Sequence, residues 1–152
     1  MVDKKRILII DDDTTIIGAL RLVLEDEGYV VDEASNGVEA IEKSFQGFYN
    51  LAIVDWRLPD IEGTNLLSRL KETVPKMAKI MLTGYPSMEN AIDSVNAQAD
   101  AFLQKPVRVE LLLKKIDHLL KQQDEDRKFS EKKMTEYVQT RVNEIMVSKL
   151  NH

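Results

Sequence analysis

The stretch "ILIIDDDTT", residues 7–15, sends four apolar residues straight into three aspartates. A run that is continuously apolar, rather than alternating, is the mark of a strand covered on both faces. Such strands belong to parallel sheets flanked by helices. Two further runs have the same character, "LAIVD" (51–55) and "KIMLT" (79–83). "YVVDEA" (29–34) and "AFLQ" (101–104) complete a set of five expected strands. Between them lie "TTIIGALRLVLEDEG", "NGVEAIEKSFQG", "GTNLLSRLKETVP" (63–75) and "SMENAIDSVNAQA", each with apolar residues at helical spacing. Asn36 and Ser87 stand at N-cap positions, and Gly28 and Gly47 at C-caps. Strand and helix alternating in this way predict an α/β fold, a doubly wound parallel sheet.

Composition sets the outer bounds. The chain has 152 residues, 43% hydrophobic and 31% charged, with a net charge of −5. That fits one ordinary domain with an appendage. An acidic balance leaves no Lys/Arg excess to neutralise phosphates, so no direct nucleic-acid partner is expected. Without cysteine, disulfides, thiol catalysis and cysteine-bound metals are excluded. The short apolar run after "MVDKK" is no signal peptide, and no stretch approaches the ~20 apolar residues of a membrane span. The expected location is the cytoplasm. From Val107 to His152 there is neither glycine nor proline. "VELLLKKIDHLLKQ" reads as the fifth helix and 1–122 as the domain, with 123–152 a helical extension or linker. Residues 123–133 read as too polar to pack. Met134, Tyr137, Val138, Val142, Ile145 and Met146 then form a broad apolar stripe. Its expected partner is a second copy of the chain, the alternative being its own domain.

In a doubly wound sheet the ligand crevice lies beyond the carboxyl ends of the strands. Asp11 and Asp12 follow the first strand, Asp55 closes the third, Thr83 closes the fourth and Lys105 follows the fifth. Parallel strands bring all five to one edge. Crowded carboxylates repel unless a cation joins them. All-oxygen ligands suit Mg²⁺ (or Mn²⁺), which favours a few carboxylates plus phosphate oxygens. A carboxylate can also act as a nucleophile toward phosphorus, with metal, lysine and threonine neutralising the transferred group.

Four segments, "ILIIDDD", "IVDWRLPDIEG", "MLTGYPSMENAI" and "ADAFLQKP", occur in an order that resembles the receiver domain of two-component response regulators. "LTGYPSMENAI" is similar to receivers of the nitrogen-regulator class. The resemblance covers roughly residues 5–121. It implies a flavodoxin-like sheet of strand order 2-1-3-4-5 and a phosphoryl group received from a sensor histidine kinase or phosphotransfer protein. By position it makes Asp55 the phosphorylation site. Asp12 becomes the direct Mg²⁺ ligand with Asp11 acting behind it, and Asp55 and the backbone carbonyl of Arg57 complete the metal set. Thr83 and Lys105 would hold phosphoryl oxygens, Phe102 would be the aromatic switch, and the Lys105–Pro106 bond would be cis. Gln98 stands where the family commonly has glycine, so a left-handed conformation there would carry strain, and Arg108 leaves the fifth helix without a good cap.

Single residues also have plainer readings. Asp13 and Thr14 are expected to cap the first helix. Gly63 is expected to serve a turn of positive φ. Trp56 reads as a half-exposed aromatic beside the pocket, and His118 as a surface residue. "DDDTT" also fits the Asp-x-Asp-x-Thr signature of haloacid-dehalogenase-like phosphatases. That class needs a further acidic pair after the lysine, where this chain offers only helical sequence, and it leaves Asp55 unexplained. A signalling domain, not a phosphatase, is therefore expected.

Overall fold

A computed structural model describes residues 4–84 and 87–151. Tyr85 and Pro86 of the "MLTGYPSMENAI" segment therefore lie outside the described residues. The elements are β1 (Arg6–Ile10), α1 (Thr14–Asp26), β2 (Val30–Ala34), α2 (Gly37–Gln46), β3 (Leu51–Asp55), α3 (Gly63–Leu67), β4 (Ala78–Thr83), α4 (Met88–Asn96), β5 (Ala101–Gln104) and α5 (Val109–Leu150). All strand pairs are parallel, in the order β2-β1-β3-β4-β5. This is the doubly wound, flavodoxin-like sheet expected from the sequence.

The continuous apolar runs are explained by the two faces they cover. Ile7, Ile9, Leu51, Ile53, Ile80 and Leu82 pack with Leu20 and Leu24 of α1 and Leu112, Ile116 and Leu120 of α5. Their neighbours Leu8, Ile10, Ala52, Val54 and Met81 face Leu66 and Leu67 of α3 on the other side. Side chains alternate along a strand, so each run feeds two cores at once.

Helix ends follow local chemistry. Asp13 is the N-cap of α1 and accepts the amides of Thr15 and Ile16. Asn36 caps α2 through the amide of Glu39. Gly28, with φ 95°, closes the end of α1, whereas Gly47 closes α2 in an extended conformation. Gln98 is left-handed at φ 69°, and Arg108 gives α5 no side-chain cap.

Three expectations need correction. The helix expected over 63–75 is α3, ending at Leu67. The Leu67 carbonyl accepts the buried Lys79 ammonium at 3.1 Å, while the Lys71 amide that would continue the helix donates to Ser44 Oγ at 3.1 Å. Each half of the next helical hydrogen bond is taken by another element. Gly63 is not a positive-φ position; among the described residues the only such glycine is Gly28. A Cβ on Gly63 would lie 2.5 Å from the Asp55 carbonyl oxygen, so close backbone approach demands glycine there.

The third correction concerns residues 123–133. α5 is one helix through Leu150, but its polar middle does not begin in water. Gln123 is buried. Its amide donates to the carbonyls of Asn50 at 2.9 Å and Lys76 at 2.7 Å, and its oxygen accepts from the Asn50 side chain. Asp124 pairs with Lys5 at 2.6 Å. Only from Glu125 onward is the helix exposed throughout. Because the buried Gln123 amide bonds the carbonyls of both Asn50 and Lys76, Gln123→Ala should destabilise the fold by about 1–3 kcal/mol. A urea unfolding midpoint indistinguishable from that of the parent chain would contradict this.

Candidate functional site

Strand register assembles the site. Ile10 is paired with Val54, so Asp11 and Asp55 sit level at adjacent strand ends. Asp55 is paired with Leu82 and Thr83 with Gln104. Thr83 and Lys105 therefore fall at the same edge, one strand and two strands further across. The amide of Lys105 donates to the Thr83 carbonyl at 2.6 Å and extends the ladder to the mouth of the crevice.

The side chains converge as the register requires. Lys105 Nζ lies 2.9 Å from Asp11 Oδ2 and 3.1 Å from Asp55 Oδ1. Asp11 is buried and its second oxygen accepts the amide of Asp13 at 2.9 Å. Asp12 is exposed at the rim. Each of Asp11, Asp12 and Asp55 offers an oxygen, all within 4.8 Å of one another. Thr83 is buried at the floor. The backbone amide of Arg57 points at Asp55 Oδ1 from 3.5 Å, and the Arg57 side chain is exposed.

The electrostatics are unbalanced. Burial and the neighbouring Asp11 push the Asp55 carboxyl up from its ordinary range, against the pull of Lys105. Burial works against the charge on Lys105, but its bonds to Asp11 and Asp55 outweigh it and hold the ammonium above its ordinary range. Three carboxylates against one ammonium leave a net charge near −2. A divalent cation with oxygen preference matches both the charge and the donor set. The residues present thus fit Mg²⁺, and a phosphate oxygen could complete its coordination.

The β3–α3 loop is held rigidly beside this pocket. The amide of Gly63 returns to the Trp56 carbonyl at 2.9 Å, and Arg57 bridges Glu62. The Asp60 carboxylate accepts the amides of Gly37 and Val38 at 2.8 and 2.9 Å, adding a cap to α2 from a distant loop. A Cβ on Gly37 would meet Ile61 at 2.0 Å, so the two segments interlock.

The strand-end residues expected from the sequence do converge, and three neighbours make contacts that were not expected from it. Asp60 and Gly63 hold the loop. Trp56 meets Phe102 edge to face, with ring centroids 6.4 Å apart at 87°. A signal for that contact was present: Trp56 is two residues beyond Val54, on the face Val54 shares with Met81, and Met81 is paired with Phe102. His118 is exposed on α5, far along the chain from the crevice residues, as expected.

A family model described as "Response regulator receiver domain" matches residues 7–117. A CheY-like receiver domain protein from Methanospirillum hungatei is 47% identical, covers 82% of this chain and 99% of its own, and superposes with a TM-score of 0.77. A Burkholderia pseudomallei response regulator, solved with a phosphorylated aspartic acid, a calcium ion and citrate, is 34% identical over 72% of this chain and 65% of its own, with a TM-score of 0.68. The beryllofluoride-activated NtrC4 receiver domain dimer is 34% identical over 78% of this chain and 98% of its own, with a TM-score of 0.72. The chain spans about half the length of the curated relatives it matches, 53%, 52% and 47% for the first three. Among the described residues no helix is long and apolar enough to cross a membrane.

Crowding of like charges has a measurable consequence. In chelator-treated buffer Asp55→Asn should unfold at higher temperature than the parent chain, because one of three repelling carboxylates is removed while the shape is kept. Saturating Mg²⁺ should stabilise the parent and narrow the gap. A lower melting temperature for Asp55→Asn without divalent ions would contradict this picture.

Proposed function

This chain belongs to the response regulator receiver family, and on that premise we propose that Asp55 accepts a phosphoryl group from a sensor histidine kinase or phosphotransfer protein. The observation that carries the reading is the Lys105 ammonium held between Asp11 and Asp55 at the strand ends. An Asp55 carboxylate oxygen attacks the phosphorus of a phosphohistidine. The new O–P bond forms as the P–N bond breaks, and the imidazole leaves with its electron pair and takes a proton from solvent. Lys105 and the Thr83 hydroxyl receive the phosphoryl oxygens. Asp12 is the direct metal ligand at the exposed rim. Asp11 acts behind it, and Asp55 and the Arg57 carbonyl complete the set. Bound Mg²⁺ (or Mn²⁺) neutralises charge on the oxygens during transfer.

The output is a change of surface. Thr83 moves toward the phosphoryl group and Phe102 fills the space it leaves, altering the face made by α4, β5 and α5. Trp56 borders Phe102 and shares in that change. The unit that switches is the receiver, 1–122, and 123–152 is a helical extension whose apolar stripe meets a second copy of the chain. The setting is the cytoplasm, where histidine kinases deliver their phosphoryl groups.

Acetyl phosphate or a phosphorylated kinase domain should label the chain only with Mg²⁺ or Mn²⁺ present, and Asp55→Asn should remove at least nine-tenths of the label (about 1.4 kcal/mol of selectivity). Label that persists in that variant, or shifts to Asp11, refutes the assignment. Mg²⁺ titration should also change Trp56 fluorescence, and Asp12→Ala should raise the required concentration by roughly tenfold or more. An unaltered titration in Asp12→Ala would rule out Asp12 as the direct ligand.

A further inference from the structure

The face of α5 that packs on the sheet can be followed into the exposed tail. Leu112, Ile116, Leu120 and Gln123 are its buried residues. Continuing their steps of four, four and three gives Arg127, Glu131, Met134, Val138, Val142, Ile145 and Lys149. This is an eleven-residue repeat of 3.67 residues per turn, close to that of a straight α-helix. One seam therefore runs from the body into the exposed tail. Its first part is covered by the sheet, Arg127 and Glu131 mark where the body ends, and the apolar part beyond is uncovered. Met134, Val138, Val142 and Ile145 keep 46–62% of their surface in water. The helix is unbroken to Leu150, so this part cannot fold back onto its own receiver.

The charges on the seam choose an orientation. A parallel, in-register pair would set Arg127, Glu131 and Lys149 each against its own copy, three like-charge contacts. Reversing one helix about Thr140 sets Glu131 against the partner's Lys149, Met134 against the partner's Ile145, and Val138 against the partner's Val142. Each pair sums to 279 or 280, so all share one register. Tyr137 and Arg141 lie on the same side of the seam, so the reversed pair also brings Tyr137 toward the partner's Arg141, a cation–π geometry. Opposed helix dipoles favour the same arrangement. The partner's Leu150 then falls level with Ser130, about 9 Å beyond Asp124, where the helix leaves the body. It reaches the outer rim of a groove of about 900 Å³ lined by Val74, Pro75, Leu119 and Met134.

We propose that the tail pairs antiparallel with the tail of a second copy, centred on Thr140, with the two receivers at opposite ends. The proposal rests on the reading that a second copy covers the stripe, and it fixes the geometry of that contact. The paired length, Glu131 to Lys149, is about 27 Å. A helix pair of that length falls near or below the ~1,200 Å² of small specific interfaces, so the dimer should dissociate on dilution.

Disulfide mapping tests the geometry, since the native chain has no cysteine. Full-length Met134→Cys and Ile145→Cys chains, one carrying a size tag, should cross-link when mixed under mild oxidation. Neither should cross-link alone, because in the reversed pair the two Met134 positions lie about 18 Å apart. Self-cross-linking of Met134→Cys with no mixed product would overturn the orientation while leaving a second copy as the partner. Sedimentation of the untouched chain as a monomer at every concentration would overturn both. Glu131→Lys should weaken the dimer roughly three- to tenfold, and Glu131→Lys with Lys149→Glu should restore it. Failure of that rescue would also overturn the pairing. None of these readouts needs phosphorylation, so the role of Asp55 stands or falls separately.

Discussion

The ammonium of Lys105 between Asp11 and Asp55 is the contact on which the functional end of this molecule depends. Carboxylates from two strands would repel each other across the sheet edge without it. With it, one charge is cancelled and two remain, enough to draw a divalent cation without closing the pocket. Lys105 comes from the far edge strand, so its reach ties β5 electrostatically to β1 and β3. The backbone supports that reach through the Lys105 amide on the Thr83 carbonyl. Burial raises the cost of the charges on Asp55 and Lys105.

Around this pocket, rigidity comes from places where only small or specific residues fit. Gly63 lets the loop after β3 return within van der Waals contact of the Asp55 carbonyl, and Asp60 fastens the same loop to the start of α2. The loop after Asp55 is thus anchored at two points. Trp56, on the face opposite to Asp55, spends its contact on Phe102 instead. The residue next to the proposed phosphoryl acceptor therefore touches the aromatic residue proposed as the switch, a short path between pocket and surface.

At the other end of the sheet, Gln123 plays the part that a leucine would play in a purely apolar seam. Just before β3 and β4 the carbonyls of Asn50 and Lys76 both accept from its amide, the Asn50 carbonyl in addition to the Ala78 amide. With Asp124 on Lys5, this fastens α5 to the body at the point where the helix departs. The extension is consequently carried as a stiff continuation of the domain rather than on a loose tether.

The fold was legible in the sequence because buried parallel strands must be apolar on both faces and because helix caps are local chemistry. Runs such as 7–10 and 51–54, with Asp13 and Asn36 as caps, need no distant contact to be recognised. The pocket was legible for a related reason: parallel topology sends every strand end to one edge, so Asp11, Asp55, Thr83 and Lys105 were bound to meet. What the sequence could not decide was set by contacts between elements far apart in the chain. α3 stops at Leu67 because Lys79 and Ser44 take its next hydrogen bond, and helical spacing in 63–75 carries no trace of either. Gly63 looks like a turn glycine until the Asp55 carbonyl is seen beside it. Gln123 reads as solvated because polarity is a property of the side chain alone. Only the tertiary structure supplies the carbonyls of Asn50 and Lys76 and the Asn50 side chain that make burying it favourable.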